Sequence, residues 1–170
     1  MLIYAIVGEI FCMKTIDIYG DNYFGKWDKT RTCCRAIVTK NDKMLLSYET
    51  LTDTWMTPGG GLEANETEKE CCIREVAEET GYIINPSNCV LVINEYYEDY
   101  KFISKYFLGE VISTTTPHLT TREKKVKMEA RWCDNNEIIK IFSKHNEYKE
   151  ISEEKRGMYL REYMALKEIL

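Results

Sequence analysis

Gly60–Tyr82 reads "GGLEANETEKECCIREVAEETGY", and its second half predicts a helix over residues 67–80. Thr67 is a good N-cap, and Glu70 three residues on completes a capping box. Cys72, Ile73, Val76 and Ala77 supply an apolar stripe, and Gly81 suits the C′ position. At about 100° per residue, Glu75, Glu78 and Glu79 fall within about a third of the helix circumference. They form one acidic ridge. Glu63, Glu66, Glu68 and Glu70 precede it, and only Lys69 and Arg74 offset the charge. Like charges at this spacing cost roughly 0.2–0.5 kcal/mol per pair on an exposed helix. A solvated surface face tolerates that, and is the plain alternative to a functional reading. The neighbours favour function. Hard divalent cations take clustered carboxylates together with phosphate oxygens. The preceding "PGGG" at 58–61 is read as a loop whose glycines allow close backbone approach to a ligand.

Working outward, residues 12–19 predict a strand and "GDNYFGKW" (20–27) a loop. "CCRAIVTKNDKMLLSYE" (33–49) predicts a hairpin turning at Asn41-Asp42. Residues 55–66 read as loop, 89–97 and 102–112 as a second hairpin, and "MEARWC" as a further strand. "DNNE" caps a short helix near 135–143. The last helix, 153–169, carries Tyr159, Tyr163, Leu166 and Leu170 on one face, with Met164 beside them. The three prolines, Pro58, Pro86 and Pro117, are assigned to loops. Helices interspersed among strands predict an α/β or α+β domain, and 170 residues predict a single one spanning 1–170.

The formal net charge of −5 and pI near 5.2 argue against a general polyanion binder, and no duplex nucleic acid is expected. The opening "MLIYAIVGEIF" is short, interrupted by Glu9, and lacks a basic flank. It is read as leading into a strand, with no secretory signal and no membrane span. Seven cysteines, none in C-x-x-C spacing, exclude zinc-ribbon and redox motifs and suit a reduced, cytoplasmic protein.

Gly60, Glu66, Arg74, Glu75, Val76, Glu78, Glu79, Gly81 and Tyr82 resemble, without a gap, the signature of the Nudix family. That signature is G-x5-E-x7-R-E-U-x-E-E-x-G-U, with U a bulky apolar residue. Tyr82 stands where Ile, Leu or Val is more usual. The flanking "AIVTKNDKMLLSYE", "W-x-x-P-G-G" and "E-A-R-W" extend the likeness over roughly residues 32–140. The resemblance implies a Nudix-type α/β/α sandwich with a mixed β-sheet, the C-terminal amphipathic helix docking on it. It also implies hydrolysis, with Mg2+ or Mn2+, of a nucleoside diphosphate linked to another group X.

By the same resemblance, Glu75, Glu78, Glu79 and the Gly60 carbonyl match the metal ligands. Arg74 matches the family's arginine, either orienting a ridge glutamate by a forked hydrogen bond or simply pairing with Glu70 or Glu78 along the helix. Glu66 is read as structural. The general base stays open: Glu79 is favoured within the signature, with Glu123 and Glu129 as candidates outside it. Gly59, Gly60, Trp55 and Tyr97 are the candidate substrate contacts, and Trp27, Tyr96 and Tyr100 are further aromatics able to stack on a base. His118 and His145 are assigned to surface loops. "TPGGG" departs from the "FPQGG" of bacterial RNA pyrophosphohydrolases, so nucleoside triphosphates, nucleotide sugars and dinucleotides all remain open as small-molecule substrates. A homodimer is common in the family. The rival reading is a non-catalytic nucleotide- or ADP-ribose-binding module. Such modules often lose signature glutamates, and none is missing here.

Overall fold

The structure, a computed structural model, describes residues 13–170. The expectations for the apolar opening and for Cys12 lie outside the described residues. Strands β1 (Lys14–Tyr19), β2 (Lys29–Ile37), β6 (Gly59–Gly61), β7 (Tyr82–Tyr97) and β8 (Tyr100–Thr114) form one sheet, ordered β1-β7-β8-β2-β6. It is mixed: β1 runs parallel to β7 and β2 parallel to β8, while β7–β8 and β2–β6 are antiparallel. A second, antiparallel sheet is built on β4 (Lys43–Glu49), with β3 (Thr39–Lys40), β5 (Thr54–Met56) and β9 (Met128–Asp134) as its partners. The chain passes between the sheets at Val38, just past β2. Asn41 and Asp42 both take positive φ there, the backbone that a tight hairpin turn requires.

Alternation along the strands divides the core in two. Cys34, Ala36, Leu45 and Phe107 face α1 (Glu68–Thr80), where Cys71, Cys72 and Val76 meet them. Ile37, Met44, Leu46 and Tyr106 face the opposite way. They pack beneath α3 (Asn135–Ser143) and α4 (Glu153–Ile169), against Ile138, Phe142, Tyr159 and Leu166. The result is the expected α/β/α sandwich. The α1 cap geometry matches the sequence reading: Thr67 and Glu70 form a reciprocal capping box, and Gly81 closes the helix in the left-handed conformation.

Several expectations need correction. Gly59–Gly61 is a strand, because glycine lets the backbone close on β2: a Cβ on Gly59 would stand 2.2 Å from the Cys34 carbonyl. Pro86 lies inside β7, where a register shift removes the need for a ladder donor. A short helix α2 (Thr121–Lys125), capped by Thr120 and Glu123, follows the second hairpin. His145 sits half-buried in a 3-10 turn against Tyr163 rather than in an open loop. The buried face of α4 includes Arg156, Arg161 and Glu162, whereas Leu170 is exposed.

Candidate active site

The ridge is organised by two centres, one around Arg74 and one around Glu79. Nε and Nη2 of Arg74 fork onto Glu66 at 3.0 and 2.6 Å. Nη1 is shared between Glu75 (2.8 Å) and Glu78 (3.2 Å), and Nη2 also reaches the Gly61 carbonyl (3.1 Å). The fork therefore grips Glu66, and single bonds hold the ridge glutamates. Glu70 is taken by the capping box and does not pair with Arg74. The guanidinium beside Glu66 lowers that carboxyl to about 2. Burial raises Glu75, partly offset by Arg74 and reinforced by the negative charges of Glu78 and Glu123.

Glu79 points the other way, into the protein. Its Oε2 accepts from Ser47 Oγ at 2.6 Å and from the Gly59 N–H at 3.2 Å. Burial pushes this carboxyl up to about 8, against the opposing pull of Ser47, Arg35 and the Gly59 amide. Gly60 lies against Glu75: a Cβ there would stand 2.4–2.6 Å from the carboxylate atoms. Among the described residues no three His, Cys, Asp or Glu side chains are drawn together as a metal centre. Glu75 and Glu78 converge on Arg74, and Glu79 on Ser47. The donor set still suits a hard cation, being all oxygen, with two carboxylates meeting at one guanidinium nitrogen and bare backbone beside them.

The NUDIX domain family model matches residues 29–155. The chain belongs to the Nudix family. The m7GpppN-mRNA hydrolase of Saccharomyces cerevisiae is 29% identical over 119 residues, covering 65% of this chain and 11% of that protein. A Bacillus subtilis protein named uncharacterized Nudix hydrolase YvcI is 43% identical over 52 residues, 30% of this chain and 33% of that protein. The chain thus spans a third or less of the length of these curated relatives. A NUDIX hydrolase structure from Nitrosomonas europaea shares the fold, with a TM-score of 0.56 at 23% identity, over 81% of this chain and 90% of that one.

The remaining candidates around the Nudix signature separate by position. Glu123 comes within the electrostatic field of Glu75, because Arg122 ties α2 to the buried Glu49 at 2.8 Å. Glu129 does not join the ridge. It pairs with Tyr48 across the sheet, whereas Ser47 pairs with Ala130, so it lies on the face opposite Ser47 and Glu79. There it is exposed and bonded to Arg131. Trp55 is stacked on Tyr48 at 4.0 Å, and the Arg131 guanidinium lies over both rings. Tyr97 is packed tightly against Gly20 and Gly157, where a Cβ would come within 2.2 Å and 2.1 Å of it. It serves packing and is not an open platform for a base. The sequence reading missed Ser47, Arg35 and Thr57. Their one local signal is a polar residue inside an apolar run, as in "MLLSYE" and "CCRAIV".

Proposed function

We propose that this Nudix domain hydrolyses a pyrophosphate bond in a nucleoside diphosphate linked to another group X, giving a nucleotide and phosphorylated X. Nudix hydrolases generally use divalent metals. Here Glu75, Glu78, Glu79 and the Gly60 carbonyl would hold Mg2+ or Mn2+. When bound, such a cation neutralises pyrophosphate oxygens and lowers the pKa of its water. The protein's own part is positional. Arg74 keeps Glu75 and Glu78 in register with the glycine strand. The Gly59 N–H and Ser47 hydroxyl hold Glu79 at the inner end of the ridge, and Glu79 is the favoured base within the signature. Glu123, whose carboxylate accepts from the Thr120 N–H at 2.7 Å in the α2 capping box, is the candidate base outside the signature. The observation that carries the reading is this joint arrangement: one arginine spans three signature glutamates, and a glycine amide fixes the fourth.

The yeast relative's name places m7GpppN-mRNA among compounds worth testing. The test is a panel of nucleoside triphosphates, nucleotide sugars, dinucleoside polyphosphates and a capped RNA, scored for product with Mg2+ and with EDTA. At least one member is turned over only with metal. Glu79→Gln lowers that turnover by about a hundredfold or more while the fold survives by circular dichroism. Nucleotide binding without turnover of any member would instead identify a binding module. Six free cysteines among the described residues support the cytoplasmic reading.

A further inference from the structure

We infer that Glu162, on α4, is a positioning residue for this site. It fixes the start of the glycine strand through Thr57, and thereby the amide that holds Glu79. The inference rests on the hydrolase reading above. Glu162 lies beyond residue 155, where the family match ends. Both Glu162 and Thr57 are fully buried.

Glu162 Oε2 accepts from Thr57 Oγ1 at 2.8 Å. The Thr57 carbonyl accepts from Arg35 Nη1 at 3.1 Å, and Arg35 is also 3.9 Å from Glu162. Pro58 follows with its fixed φ, its carbonyl bonded to the Ala36 N–H at 3.0 Å. Gly59 comes next, and its N–H meets Glu79. One rigid residue therefore separates the Thr57 anchor from the amide at the ridge. On its other side, Glu162 Oε1 accepts from Arg161 Nη2 at 2.8 Å. Arg161 continues to Tyr106 and Glu95, both at 3.2 Å. Two buried acids and two buried arginines balance in charge.

Such a network is not needed to dock the helix. Tyr159, Ala165 and Leu166 already anchor it, and apolar residues commonly replace buried ion pairs without loss of stability. What the carboxylate adds is direction: its Oε2 accepts the Thr57 hydroxyl at 2.8 Å and, at a longer 3.5 Å, that of Tyr106, and the shorter bond lies next to the glycines that carry the site.

The test measures kcat and KM on a panel substrate that the wild type turns over, and the Gly59 amide resonance in 1H–15N spectra of the metal-free protein. Thr57→Val removes the hydroxyl and keeps the shape; Thr57→Ser restores it. Glu162→Gln keeps an acceptor but removes the charge. Glu168→Gln, on the exposed end of α4, is the control. Neither Thr57 nor Glu162 reaches substrate, so T57V and E162Q lower kcat about tenfold or more and leave KM within about threefold. T57S stays within about threefold of wild type in kcat, E168Q is unchanged, and the Gly59 amide moves in T57V alone among the Thr57 variants. A T57V protein with full kcat or an unmoved Gly59 amide overturns the inference, as does a T57S protein as impaired as T57V. If the wild type turns over no panel member, the hydrolase reading has failed and this inference falls with it.

Discussion

Absent side chains shape this site as much as charged ones do. Gly59 and Gly60 are adjacent and do different work. Gly59 has φ of 149°, and a Cβ on it would meet backbone, 2.2 Å from the Cys34 carbonyl and 2.6 Å from the Arg35 Cα. Backbone in a paired strand has nowhere to go. At Gly60 the obstacle is the far end of the Glu75 side chain, which swings away at little cost. The two alanine variants therefore separate stability from function. Gly59→Ala lowers stability by about 2 kcal/mol or more. Gly60→Ala unfolds within a few degrees of the wild type, yet loses about tenfold or more in kcat/KM, because Glu75 is displaced from the strand that frames it. Thermal unfolding and turnover on the same preparations check both. A Gly60→Ala protein with full activity would show that the position of Glu75 against the glycines is immaterial.

Among the elements, α1 is held by local interactions that a single substitution reaches. Thr67 Oγ1 accepts from the Glu70 N–H, and Glu70 returns a bond to the Thr67 N–H at 2.7 Å. Thr67→Ala is expected to cost about 1 kcal/mol, seen as a lower urea midpoint with an unchanged slope. No change in midpoint would mean that packing alone holds the helix start. The same locality explains why α1 was legible: cap, stripe and ridge all follow from spacing within one helix. Thr120 and Glu123 repeat that capping box, but α2 has five residues and none is buried, so no periodicity announced it. By sequence, Gly59–Gly61 reads as loop because its partner, β2, lies elsewhere in the chain. The buried face of α4 differs from the sequence expectation for the same reason. Arg161 and Glu162 look solvated by composition, yet their partners Glu95, Tyr106 and Thr57 come from β7, β8 and the position two residues before the glycine strand. The ridge glutamates are visible in the motif. The groups that orient Glu79, namely Ser47 and the Gly59 amide, required the fold.

For the molecule as a whole, the carboxyl groups divide into two sets with opposite effects on stability against pH. Arg74 depresses Glu66 to about 2, and Arg156 depresses Glu153. Their contribution is present above the unfolded carboxylate range and is lost as pH falls below it. Burial raises Glu79 to about 8, and raises Glu75 and Glu95 as well. Above about pH 4.5 the unfolded chain releases protons that these folded groups keep, so stability falls as pH climbs toward 8. Each such group contributes at most about 1.4 kcal/mol per pH unit. The metal-free protein is therefore expected to be most stable near pH 5 and to weaken on both sides. Glu79→Gln makes the alkaline decline shallower by removing the carboxyl that burial holds up to about 8. Mg2+ has the same effect on the wild type, because a cation that binds only the ionised ridge gains affinity as pH rises and stabilises the folded state by mass action. Urea midpoints at pH 4 to 8, with EDTA and with Mg2+, measure this directly. A metal-free midpoint that holds level or rises from pH 5 to 8 would mean that Glu79 is ionised without a cation, its charge carried by Arg35, Ser47 and the Gly59 amide.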